Sequence, residues 1–80
     1  METRTIGGLP ECLLSGRETE VLQHAAHGNS NKRIARKMDI SEQTVKSHMK
    51  SILSKLTAND RTHAVTIALK RGIIDLYSGL

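Results

Sequence analysis

Six side chains between positions 46 and 55 carry the chemistry of phosphate and base recognition. They are Lys46, Ser47, Lys50, Ser51, Ser54 and Lys55, and no acidic residue interrupts them. Ammonium groups meet phosphate oxygens and the O6 and N7 atoms of guanine, while a hydroxyl both donates and accepts and so serves several base edges. Two other clusters offer different chemistry. Ser15 and Glu18 with histidines nearby have the residue types of nucleophilic catalysis. His24 and His27, at HxxH spacing downstream of Cys12, have those of a metal site. Both clusters read better as structure. Ser15 followed three residues later by Glu18 is a helix capping box. No aspartate–histidine–nucleophile set accompanies it, and no cysteine pair supports the histidines, which read as surface residues. The expectation is no enzyme activity, no cofactor and no metal. Met38 and Met49 are expected in the core.

The six side chains need an element that shows them together. From Ser41 to Leu56 the apolar positions Val45, Met49, Ile52, Leu53 and Leu56, with His48 at their edge, recur at helical spacing. At about 100° per residue they gather on one side of a helix and leave the Lys and Ser residues on the other. Ser41 is a suitable N-cap, and Glu42 lies in the first turn, where the macrodipole favours negative charge. A helix packed on one side and lined with Lys and Ser on the other suits the major groove of DNA.

Charge is distributed accordingly. The net charge is +4 over 80 residues. Residues 30–63 hold Lys32, Arg33, Arg36, Lys37, Lys46, Lys50, Lys55 and Arg61 against Asp39, Glu42 and Asp60, whereas the first 29 residues are net acidic. Positive charge concentrated around one helix is the footprint of a phosphate-binding protein. Tyr77 is the single aromatic residue, so the core must be aliphatic and offers no aromatic cofactor pocket. Cys12 is alone, which excludes an internal disulfide and suits a reducing compartment. No apolar run approaches the roughly 18 residues of a membrane span, and the N-terminus lacks a signal-peptide core.

The remaining elements follow from local signals. Residues 1–13 read as a tail or linker remnant, residues 14–76 as one domain and residues 77–80 as a C-terminal tail. Ser15 starts a first helix, near 16–28, with Val21, Leu22, Ala25 and Ala26 inward and Gly28 as a left-handed stop. Ser30 caps a second helix at 31–38, with Ile34, Ala35 and Met38 inward and Lys32, Arg33, Arg36 and Lys37 outward. Asp39 and Ile40 leave room only for a tight turn before the basic helix at 42–56. Asp60 caps a fourth helix, near 61–71, with Ala64, Val65, Ala68 and Leu69 on one side. Ile73, Ile74 and Leu76 are expected to fold back on the core. The prediction is an all-α domain of four helices in which the second and third form a helix-turn-helix.

LSGRETEVL (14–22), Gly28, SNKRIA (30–35), ISEQTVKSH (40–48), ILSKL (52–56) and DRTHAV (60–65) resemble the LuxR-type helix-turn-helix domain. That domain is the DNA-binding output module of NarL/FixJ response regulators and of quorum-sensing regulators. The resemblance implies a cytoplasmic, nucleoid-associated bacterial transcription regulator that binds double-stranded DNA sequence-specifically as a homodimer. It assigns base reading to Lys46, Ser47 and Lys50 and phosphate contacts to Asn31, Lys32, Thr44 and Lys55. It places the dimer interface on the Thr62, His63, Thr66, Ile67 and Lys70 side of helix 61–71. It also implies an N-terminal receiver or ligand-sensing domain elsewhere in the regulator, RNA polymerase as a further partner, and no membrane. Two positions depart from the family pattern: Arg33 stands where an acidic residue is common, and Ser47 where an apolar residue is common.

Two other readings account for parts of the pattern. A promoter-recognition module of an RNA polymerase sigma factor shares the LSxRExEVL and TVKxH character but normally ends near the reading helix. A protein-interaction module would pair through the fourth helix and leave the basic face incidental.

Overall fold

The structure, a computed structural model, describes residues 14–77. Its elements are α1 (Gly16–Ala26), α2 (Asn31–Met38), α3 (Glu42–Leu56) and α4 (Arg61–Lys70), and all regular structure among the described residues is helical. The expected tail at 1–13, with Cys12, and residues 78–80 lie outside the described residues. α2 and α3 have the expected bounds. α1 ends two residues earlier than expected and α4 one residue earlier, both for the same reason. Gly28 (φ 84°) and Gly72 (φ 73°) are left-handed, and the turns that lead into them end the helices before the glycines are reached.

Every helix begins on a side-chain cap. Ser15 Oγ accepts from the Glu18 amide while the Glu18 carboxylate accepts from the Ser15 amide, completing the capping box. Ser30, Ser41 and Asp60 accept from the amides of Arg33, Thr44 and His63. Every helix also stops the same way, with the six-to-one and five-to-two bonds of a Schellman motif around a left-handed residue. Asn29, Ile40, Ala58 and Ile73 donate back to the carbonyls of His24, Ala35, Leu53 and Ala68. Ile40, Ala58 and Ile73 then rest against the core, which fixes the direction in which the chain leaves each helix. The left-handed positions of α2 and α3 are Asp39 (φ 57°) and Thr57 (φ 53°), where a side chain is costly.

The core is aliphatic, with Leu22, Ile34, Ile52, Val21 and Val45 fully enclosed. α1 packs against all three other helices and carries four consecutive buried residues, Val21 to His24. Ala64 and Ala68 have no exposed surface, and their small size brings α4 close against its neighbours. The C-terminal segment closes over α1. The Gln23 side chain donates to the Asp75 carbonyl and accepts from the Asp75 amide at 3.2 Å. Ile74 is buried by this clamp, but Leu76 is 54% exposed and does not join the core. His24 is buried rather than superficial. Burial holds its pKa below the usual histidine value, with Lys37 and His27 adding to the effect and Glu20 opposing it.

Candidate nucleic-acid interface

α3 buries Val45, Met49, Ile52 and Leu56 and is braced from behind by α1, α2 and α4. Its opposite side shows Gln43, Lys46, Ser47, Lys50 and Ser54, all exposed. At 100° per residue these five fall within a stripe about 100° wide, the i, i+3, i+4, i+7, i+11 pattern of one helical face. With a rise of 1.5 Å per residue the stripe runs about 16 Å, close to five base-pair steps of duplex. A helix about 10–12 Å across matches a major groove about 12 Å wide. The stripe has two ammoniums, two hydroxyls and one amide, and no carboxylate. Gln43 was not among the candidates from the sequence, although its spacing to Lys46 and Ser47 places it in the same row. An amide there can pair with the N6 and N7 atoms of adenine.

Ser51 and Lys55 do not share this stripe, and their expected place on the open side is corrected. Each is half-buried and bonded to Glu18 of α1. Ser51 Oγ donates to Glu18 Oε2 at 2.6 Å, and Lys55 Nζ donates to Oε1 at 2.8 Å. Burial raises the pKa of Glu18. Hydrogen bonds from Lys55, Ser51 and the Ser15 amide, together with the Lys55 charge, outweigh that and bring it down to about 2. Glu18 thus both caps α1 and ties it to the flank of α3, holding Ser51 and Lys55 away from the stripe.

The other candidate positions surround the N-termini of α2 and α3. Lys32 is exposed. Thr44 is half-buried, its hydroxyl 2.8 Å from that of Ser41. Asn31 is half-buried and accepts at Oδ1 from Arg61 Nη1 of α4. With that oxygen engaged, the Asn31 amide has its NH2 left to offer a ligand. Arg33, Arg36 and Lys37, on the outer side of α2, border an open cleft of about 300 Å³.

On α4, Thr62, Thr66 and Lys70 are exposed, whereas His63 and Ile67 are half-buried. The His63 ring accepts from the Asn59 amide at 3.0 Å, and Thr66 Oγ1 donates to the Thr62 carbonyl at 3.0 Å. Ile67 packs against the edge of the core. No helix among the described residues is long and apolar enough to cross a membrane. Among the same residues, no three His, Cys, Asp or Glu side chains gather where they could hold a metal ion.

Comparison with known proteins places these features. A family description of bacterial regulatory proteins of the luxR family matches residues 12–68. YxjL of Bacillus subtilis (strain 168), an uncharacterized transcriptional regulatory protein, is 52% identical over 58 residues, covering 72% of this chain and 27% of its own length. The solved structure of the transcription factor GerE superposes with a TM-score of 0.76 at 35% identity, covering 79% of this chain and 94% of that one. ChrA, the response regulator of a heme-sensing two-component system, superposes with a TM-score of 0.75 at 47% identity over 78% of this chain and 31% of its own. The chain therefore spans under a third of YxjL and of ChrA.

Proposed function

The chain belongs to the luxR family of bacterial regulatory proteins, and from that membership we propose that it binds duplex DNA sequence-specifically as a homodimer. It is a transcription regulator's DNA-binding domain of the response-regulator type, a family of regulators rather than of enzymes. In the proposed complex α3 lies in the major groove with Lys46, Ser47 and Lys50 against base edges. Lys46 and Lys50 pair with guanine O6 and N7, and Ser47 accepts from or donates to a neighbouring base. Asn31, Lys32 and Thr44 meet the flanking phosphates, helped by the first-turn amides of α2 and α3, whose dipoles point positive ends outward. Lys55, held by Glu18, stands at the rim of this surface and adds charge more than a direct bond.

The observation that carries the reading is the exposed stripe on α3, free of acid and rigidly backed by three helices. Rigidity matters because base discrimination depends on donors already being in place. The second half of the proposal is that α4 pairs with a second copy through Thr62, His63, Thr66, Ile67 and Lys70. Two α3 helices would then read half-sites about one helical turn apart. In a complete regulator, which acts in the cytoplasm on the chromosome, a receiver or ligand-sensing domain would control that pairing. RNA polymerase would be the final recipient of the signal.

Selection of bound sequences from random duplex DNA tests the proposal. The expected result is one enriched motif, repeated with a spacing of roughly 10 base pairs between half-site centres. Absence of any enriched motif over the starting pool would overturn sequence-specific binding, and a single unpaired half-site would overturn the dimer.

A further inference from the structure

Arg61 opens α4 yet faces the beginning of α2. Its Nη1 donates to Asn31 Oδ1 and its Nη2 donates to the Asn29 carbonyl at 2.6 Å, across 30 and 32 residues of sequence. Both acceptors are neutral. No carboxylate lies within 4 Å of the guanidinium among the described residues, where the carboxylates that close to a basic side chain are Glu18, paired with Lys55, and Glu20, beside the buried His24. The group is half-buried, and burial lowers its pKa, as expected of a cation held by dipoles alone. Among the described residues its charge has no acid beside it, and its planar fork ties two residues of one turn to another helix.

We propose that Arg61 is a positioning residue for duplex DNA, holding the Asn29–Asn31 turn so that the Asn31 NH2 and the α2 amides face a phosphodiester oxygen. This rests on the reading of Asn31 as a phosphate contact given above. The fork explains the chemistry. Taking Oδ1 as an acceptor orients the Asn31 amide with its donor end outward, and anchoring the Asn29 carbonyl stops the turn from rotating. The same residue makes the start of α4 a strut for the phosphate-facing end of α2, so the helix assigned to pairing also sets a DNA contact.

The test is a double-mutant cycle in affinity for a random-sequence duplex, using Arg61→Met and Asn31→Ala, with thermal unfolding of each variant. Each single change is expected to lower affinity on the order of 5-fold, as for loss of one hydrogen bond, and the double variant no more than the worse single. Additive losses would overturn the assignment, because Arg61 would then not act through Asn31. Arg61→Lys should not restore affinity, since one ammonium cannot hold both acceptors, and full restoration would reduce Arg61 to a simple charge. If Arg61→Met does not fold, the Asn31 side-chain amide resonances of the unaltered protein decide. They are expected to shift on addition of duplex, and their staying fixed while the duplex binds would also overturn the assignment. An unaltered protein that binds no duplex at all overturns the DNA reading itself, whereas binding with an additive cycle overturns only the role of Arg61.

Discussion

At the scale of single residues, Glu18 carries more than its place in a capping box suggests. It receives hydrogen bonds from Ser15, Ser51 and Lys55, so it is needed in its charged form. Its folded pKa, about 2, lies below the ordinary 4.5. The stabilisation is therefore complete above about pH 4.5 and is lost as the pH falls towards 2. At 1.36 kcal/mol per unit, and allowing for the half-exposed Lys55, this amounts to about 2–3 kcal/mol. Glu18→Gln is expected to cost about 1–3 kcal/mol at neutral pH and to flatten the acid limb of a stability–pH curve from denaturant unfolding. An unchanged acid limb would show that Glu18 is not its source. Thr57 presents the opposite case, a β-branched residue held at φ 53°. Thr57→Gly is expected to raise stability by about 1 kcal/mol, read as an upward shift of the melting temperature. On the stripe, Lys50→Ala is expected to cost about 1–3 kcal/mol on a selected site and much less on random duplex. An equal loss on both would make Lys50 a phosphate contact.

At the scale of elements, the four helix starts were legible because their signals are local. Ser15, Ser30, Ser41 and Asp60 each act within three residues of sequence. The inward residues of α3 were legible for the same reason, since period alone separates Val45, Met49, Ile52 and Leu56 from the rest. What period could not decide was the flank. Ser51 and Lys55 lie between core and open stripe on the helical wheel, and only Glu18, more than 30 residues away, settles their direction. His24 was misread because α1 is not a one-sided helix: enclosed by three helices and the C-terminal segment, it buries residues all round. The link from Arg61 to Asn31 has no sequence signature, because a bond from a guanidinium to a neutral amide 30 residues away follows no local spacing. α4 offers its own test. Thr66 is exposed and, among the described residues, its hydroxyl bonds within its own helix, so Thr66→Glu should change monomer stability by less than about 0.5 kcal/mol. It should weaken simultaneous occupancy of two half-sites, measured by sedimentation of complexes on duplexes with one or two sites. Unchanged paired occupancy would move the seam off α4.

At the scale of the whole molecule, the parts form a rigid holder for one helix. α1 supplies the central post and is tied through Glu18 to the flank of α3, Arg61 ties the start of α4 to the start of α2, and α4 keeps Thr62, Thr66 and Lys70 exposed. With few stabilising parts beyond an aliphatic core, the domain relies on caps and Schellman stops to fix its angles, which explains why all four helices have both. The central claim is that the Gln43–Ser54 stripe of α3 enters the major groove. Methylation interference with dimethyl sulfate on a selected duplex tests it directly, since the reagent marks guanine N7 in the major groove and adenine N3 in the minor groove. N7-methylated guanines within each half-site are expected to be excluded from the bound fraction while N3-methylated adenines there are tolerated. Interference confined to adenine N3, or none within the half-sites, would contradict it.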